Sequence, residues 1–257
     1  MNNKSIGFFD SGIGGITIWQ SIINLLPNEN TIYLADSINS PYGTKTKEEL
    51  TKICEKNIEF LINKGCKIII IACNTATTNS INYLRNIYKI PLVGIEPAIK
   101  PAALNTKTGI IGVLATKGTL GSNLFEQTSE IYGQNIEIIE KQGKGLVELI
   151  ENGIFSGPKI DQLLKKYINP MIDGGIDKLV LGCTHYPLIK KSIKKITKSS
   201  VEILECSQAV ALHTKSILNN LKLENLEKSE VYNTFYTNST KETLNAILNK
   251  KFKIFKI

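Results

Sequence analysis

"KIIIIACNTATTNSI", residues 67–81, runs from a lysine through an aliphatic stretch to a small residue, a cysteine and a set of polar residues that open a helix. The same order returns in "KLVLGCTHYPLIKKSI", residues 178–193, so that Cys73 and Cys183 stand 110 positions apart. A second pair of segments, "IGFFDSGIGG" (6–15) and "IGVLATKGTL" (111–120), stands 105 apart in the same sequence order. Two strand-initial segments and two cysteine segments recurring at nearly equal offsets imply two similar α/β halves related by an approximate twofold. Each half then delivers one thiol from the C-terminal end of a strand, which is where open α/β sheets bind their ligands.

The rest of the chain extends this pattern. Short aliphatic runs at 6–9, 31–35, 67–72, 91–95, 109–114, 136–139, 178–182 and 201–204 alternate with helix-length amphipathic stretches. One of these, "TKEELTKICEKNIEFLINKG" (46–65), carries Leu50, Ile53, Ile58, Leu61 and Ile62 at helical spacing and closes on Gly65. Strand and helix in alternation predict an α/β fold of two similar domains with mainly parallel sheets, and an active site in the cleft between them. Two prolines interrupt the pattern in "EPAIKPAAL" (96–104), which marks a boundary. The repeat is exhausted near residue 206, yet strand-like "VYNTFYT" (231–237) and "FKIF" (252–255) still need a sheet. We therefore expect a first domain of residues 1–97 plus 207–257, carrying Cys73, and a second of 98–206, carrying Cys183.

Composition narrows the functional classes. The 257 residues are 42% hydrophobic, enough for a sizeable core. No stretch approaches the ~18 consecutive apolar residues of a membrane span, and the opening "MNNKSIGFFDSG" lacks a basic segment followed by an apolar one, so a soluble cytoplasmic protein is expected. Five cysteines, an odd number without a C-x-x-C pair, fit reduced thiols better than a disulfide framework. The only histidines, His185 and His213, have no metal spacing, so no metal is expected. The net charge of +8 rests on lysine, with Arg85 the single arginine, and nucleic-acid binding is unlikely because base readout leans on arginine forks. In "IKKSIKKITK" (189–198) the lysines form one helical stripe opposite Ile189, Ile193 and Ile196, the pattern of a solvated helix face.

A free cysteine is commonly a small buried hydrophobe, and Cys54, inside an amphipathic helix, reads that way. Position sets Cys73 and Cys183 apart. Each is followed by helix-opening residues, Asn74 and Thr75 in one case, Thr184 and Pro187 in the other, so both thiols are expected near helix N-termini whose partial positive charge favours thiolate. Two thiols across a cleft suit inversion of a stereocentre: one base removes a proton from one face, an acid delivers one to the opposite face, and the reverse reaction exchanges the roles.

Four motifs, "DSGIGG" (10–15), "PYG" (41–43), "ACNTA" (72–76) and "GCTHYP" (182–187), taken in this order over most of the chain, resemble the cofactor-independent glutamate racemases of the aspartate/glutamate racemase superfamily. The resemblance implies production of D-glutamate for peptidoglycan with neither pyridoxal phosphate nor metal. It also implies that Cys73 acts on the D-enantiomer and Cys183 on the L-enantiomer, with Asp10 assisting the first and His185 the second. Glu151, in "LVELIENG", matches a position near the catalytic residues, although an exposed helix carboxylate is an equal reading. The family's substrate-binding pattern maps onto Asp10, Ser11, Pro41, Tyr42, Gly43, Asn74, Thr75, Thr184 and His185, with Thr116 and Thr119 added from "ATKGT". Asp10 also reads as a helix cap, and "SPYG" as an ordinary turn. With arginine almost absent, hydroxyls, amides and backbone N–H groups must hold the two substrate carboxylates.

"SGIGG" is no dinucleotide fingerprint, since Thr17 stands where a third glycine is required. One departure from the family pattern falls in "LECSQA" (204–209), where Glu205 and Cys206 replace the usual Asp-Ser-Ala. The small-molecule partner expected is glutamate, and a homodimer is a possible assembly. A racemase for aspartate or another amino acid is the nearest alternative. A thiol-redox enzyme and a basic nucleic-acid-binding protein are the readings from other classes.

Overall fold

The computed structural model describes residues 4–227, 230–249 and 251–257; the first three residues, part of the N-terminal segment read above as leaderless, lie outside the described residues. Each aliphatic run forms a strand. The first half opens with β1 (Ile6–Asp10), α1 (Ile16–Leu25), β2 (Thr31–Ala35), α2 (Lys47–Asn63), β3 (Ile68–Ile71), α3 (Asn74–Ile87) and β4 (Leu92–Gly94). After α4 (Ile99–Asn105) come β5 (Ile110–Ala115), α5 (Lys117–Leu120), α6 (Asn123–Tyr132), β6 (Glu137–Gln142), α7 (Leu146–Glu151), α8 (Pro158–Asp173), β7 (Lys178–Gly182), α9 (Lys190–Thr197) and β8 (Glu202–Leu204). The chain closes with α10 (Ser207–Asn220), β9 (Asn233–Thr237), α11 (Glu242–Ile247) and β10 (Lys253–Lys256).

All strand pairings among the described residues are parallel. One sheet has the order β10-β9-β2-β1-β3-β4 and the other β6-β5-β7-β8, so β2-β1-β3-β4 and β6-β5-β7-β8 follow the same order. β1 and β3 are buried along their whole length, as strands covered by helices on both faces must be. Helix α2 shows why these residues fold locally. Thr46 and Glu49 form a reciprocal capping box, Leu50, Cys54, Ile58 and Leu61 make the buried stripe, and Gly65 at φ +79° turns the chain out of the helix.

The registers compare the halves residue by residue. Phe9 pairs with Ile71 and Ala115 with Gly182, so setting Cys73 level with Cys183 sets Asp10 level with Ala115. The next strands agree, since Asp36 N–H donates to Asp10 O at 2.9 Å and Gly143 N–H to Ala115 O at 2.9 Å. One sequence equivalence shifts: the lysines that open the two cysteine segments are not level, because the first aliphatic run is one residue longer. Lys67 forms a buried ion pair with Glu29 at 2.6 Å and donates to Leu223 O at 2.7 Å. Lys178 instead pairs with the exposed Glu202.

The C-terminal return completes the first sheet. β9 pairs with β2 and β10 with β9, while α10 packs on α1. Trp19 meets Phe235 and Phe252 edge-on at 4.9 and 5.3 Å and donates its indole N–H to Thr31. Burying such rings removes on the order of 150–250 Å² each from water, about 4–6 kcal/mol as an upper bound. One apolar cluster runs from Ile6 and Trp19 through Leu114 and Leu146 to Cys183 and Tyr186, so the core is continuous across the two sheets.

Candidate active site

The C-terminal ends of β1, β3, β5 and β7 meet around a cavity of about 10 Å³, room for about one water molecule. Cys73 and Cys183, each 5% exposed, line it together with Ser11, Pro41, Tyr42, Gly43, Asn74, Thr75, Thr116, Thr184 and His185. Of the residues expected at the site, Asp10, Thr119 and Glu151 stand one layer back. Thr119 bonds Thr75 at 3.2 Å and Thr116 at 3.0 Å, and Thr75 bonds Thr116 at 2.8 Å, so three hydroxyls tie the two halves together across the cleft.

Cys73 is the N-cap of α3, in extended conformation. Its expected bias toward thiolate is not realised: burial pushes the thiol well above its ordinary range, the negative charge of Asp10 adds to this, and a bond from the Ala76 N–H only partly offsets it. Asp10 closes β1 with no exposed surface. Its Oδ2 accepts from Gly15 N–H at 2.9 Å, while Oδ1 is buried without a hydrogen-bond partner among the described residues. Burial raises the carboxyl, with the charge of His185 acting against the rise.

Cys183 departs further from expectation, because no α-helix starts there. The chain makes a bend and a turn, then a 3-10 turn at Tyr186–Ile189, and only then α9; Pro187 serves the 3-10 turn. The turn brings His185 back under the sulfur, with Sγ 3.7 Å from Nδ1. On its other edge, Nε2 lies 2.5 Å from Glu151 Oε1. Burial alone would lower His185, but the bonds to Cys183 and Glu151 outweigh it and hold the imidazole well above its ordinary value. Glu151 is therefore no free helix carboxylate. Its Oε1 also accepts Ile13 N–H at 2.8 Å, and its backbone carbonyl accepts from Thr243 at 3.0 Å.

The "SGIGG" loop passes between these groups. A Cβ on Gly12 would stand 2.0 Å from Glu151 Oε1 and displace that carboxylate, and one on Gly14 would stand 2.6 Å from His185 Nδ1 and 2.8 Å from its backbone nitrogen.

Three contributors escaped the sequence reading. Val147 lines the cavity one helical turn before Glu151, and that i, i+4 spacing was the available signal. Asp36 accepts from Tyr42 Oη at 2.5 Å and from Asn57, Asn39 and Asn238, fixing the wall that Tyr42 forms. Tyr33 Oη donates to Gly12 O at 2.9 Å beneath the glycine loop. The departure at Glu205 has a local account, since its carboxylate accepts Ser207 N–H at 2.8 Å and caps the first turn of α10. Among the described residues there is no group of three or more His, Cys, Asp or Glu able to hold a metal, and no helix long and apolar enough to cross a membrane.

Comparison with known proteins places this geometry. The model of the Asp/Glu/hydantoin racemase family matches residues 15–214. A glutamate racemase of Clostridium perfringens is 43% identical over 234 residues, 90% of each chain. The crystal structure of a glutamate racemase isoform from Bacillus anthracis superposes with a TM-score of 0.90 at 29% identity, covering 100% of this chain and 98% of that one. The glutamate racemase of Francisella tularensis in complex with D-glutamate gives 0.86 at 33% identity over 100% and 98%.

Proposed function

We propose, from the premise that the chain belongs to the Asp/Glu/hydantoin racemase family and is an isomerase, that it interconverts L- and D-glutamate through Cys73 and Cys183. The observation that carries this reading is the pair of thiols on one cavity, each with a different titratable group against it. The names of the relatives and the D-glutamate held by the Francisella protein support glutamate as substrate.

In the L-to-D direction, Cys183 as thiolate takes the Cα proton, leaving its electron pair on a carbanion conjugated with the α-carboxylate, and the Cys73 thiol protonates the opposite face. The next turnover in the same direction requires the protons on the two sulfurs to be exchanged with solvent or returned by the reverse reaction. Asp10 beside Cys73, and His185 backed by Glu151 beside Cys183, orient the sulfurs and move protons. Asn74 Oδ1, buried and without a hydrogen-bond partner among the described residues, suits the substrate ammonium, while Ser11, Thr75, Thr116 and Thr184 offer hydroxyls to the carboxylates. A cavity of about 10 Å³ does not hold glutamate, so the cleft widens to admit it. The product supplies D-glutamate for peptidoglycan in the cytoplasm.

The deciding experiment is circular dichroism of the purified protein with L-glutamate, with no cofactor and with EDTA, run in parallel with L-aspartate. Decay of the glutamate signal to zero is expected. A constant signal, or decay with aspartate alone, overturns the assignment.

A further inference from the structure

Tyr33 lies on β2, in the sheet whose β3 leads to Cys73, and is fully buried between Phe8 and Phe235. Its hydroxyl donates to Gly12 O at 2.9 Å. The Gly12 carbonyl and the Ile13 N–H belong to one peptide group, and that N–H donates to Glu151 Oε1 at 2.8 Å. The same carboxylate oxygen lies 2.5 Å from His185 Nε2, and His185 Nδ1 lies 3.7 Å from Cys183 Sγ. A continuous hydrogen-bonded series thus begins under the Cys73 sheet and ends at the opposite thiol. Donation to a peptide oxygen polarises the group and strengthens its N–H as a donor, so a bond made at Gly12 is felt at Glu151. The Tyr33 oxygen also stands against the Gly15 N–H, the group that donates to Asp10 Oδ2 at 2.9 Å, but toward that side it donates no hydrogen bond, and the Gly14 carbonyl of the same peptide is engaged by Thr17.

We propose that Tyr33 is a positioning residue for Cys183: its hydroxyl fixes and polarises the 12–13 peptide that holds Glu151 against His185. Neither the four motifs nor the residues lining the cavity include it. The inference rests on the two-thiol reading and deepens it.

The test uses 3-chloroglutamate in its L- and D-forms. Loss of the Cα proton to a thiolate moves the C–H electron pair into a new C=C bond, and chloride leaves C3 with its own pair, so one chloride released reports one proton abstraction. The enantiomer still consumed by Cys73→Ala reports Cys183, and the one consumed by Cys183→Ala reports Cys73, whichever hand each proves to be. For Tyr33→Phe we expect Cys183-dependent chloride release to fall about three- to tenfold, with Cys73-dependent release staying within about twofold. Equal losses in both, the mark of a general folding defect, or no loss in either, overturn the proposal. A 3-fluoro group on the Tyr33 phenol keeps the shape and strengthens the donor, and is expected to shift the ratio of the two half-reactions in the opposite sense; an unchanged ratio counts against the proposal even where phenylalanine is not tolerated. Failure of wild-type protein to racemise glutamate or release chloride from either form would instead overturn the two-thiol reading itself.

Discussion

The two walls of the cavity start from one plan and diverge where chemistry is attached. With the cysteines level, Asp10 occupies the position of Ala115 and Thr75 that of His185, so each half lacks the ionisable group that the other possesses. Beside Cys73 stands a carboxylate delivered by the neighbouring strand end; beside Cys183 stands an imidazole delivered by the turn that follows the cysteine itself, braced by a carboxylate from α7. A duplicated sheet order is enough to place two sulfurs, but not to give them the same surroundings. In our reading, equivalent bases act on the two faces of a substrate with unequal help.

The severest way to break the comparison is to remove one sulfur. Cys73→Ala and Cys183→Ala are each expected to lower racemisation about 10⁴-fold or more, because the remaining thiol reaches one face only. In D₂O the wild-type protein is expected to place deuterium in early product while early substrate stays largely unlabelled. Mass spectrometry of the separated enantiomers reads both, and racemisation retained by either alanine variant would dissolve the two-base scheme.

Removing the helpers sharpens the asymmetry. Asp10→Asn and His185→Asn are expected to lower turnover by about 10²–10⁴-fold. Enantiomers have an equilibrium constant of one, so kcat/KM must fall equally in both directions. The difference between the walls therefore appears in kcat and KM taken separately, and identical kcat values in both directions for both variants would argue against separate helpers.

Glu151→Gln tests the brace on His185. Without the carboxylate, the raised imidazole moves down, and the alkaline limb of the rate profile moves with it. Linkage gives the sign for stability. A histidine raised in the folded state contributes stability that is full below its ordinary value of 6.5 and is lost as pH rises through the folded value. The melting-temperature deficit of Glu151→Gln is accordingly expected to be largest below pH 6.5 and to shrink above it.

The smallest effect runs the other way. Asp10 is raised by burial, so its stabilising contribution is present below its ordinary value of 3.8 and lost as pH rises through the folded value. Asp10→Asn is expected to melt a few degrees higher at pH 7, with the gain fading toward acid, while losing activity. Calorimetry across pH measures it, and a lower melting temperature at pH 7 would show that Asp10 is structurally favourable.

Much of this was legible in the sequence because it is local. Alternating aliphatic runs, Gly65 after a helix and a cysteine at a strand end are read from a few neighbouring residues. The Tyr33–Gly12, Thr75–Thr116 and Asn238–Asp36 bonds join residues 21, 41 and 202 positions apart, and no periodicity encodes such encounters. The turn at Cys183 defeats local reading for a related reason. Thr184 and Pro187 are good helix openers, but the return of His185 beneath the sulfur takes the backbone through a 3-10 turn first.

The order of the larger sheet also bears on how the chain is made. Its strands lie in the order β10-β9-β2-β1-β3-β4, so a nascent chain emerging N-terminus first presents β2 as a bare edge until residue 237 has left the ribosome. By then all four strands of the smaller sheet have been available for pairing, and so have Leu223 and Asn225, which bond Lys67 and Glu29. The unit begun first is finished last, and through that interval Tyr33 and Trp19 wait without the Phe235 that covers them. Synthesis arrested before β9 would thus release a protein with an open strand edge and uncovered aromatic rings, the kind of surface on which chaperones and aggregation compete.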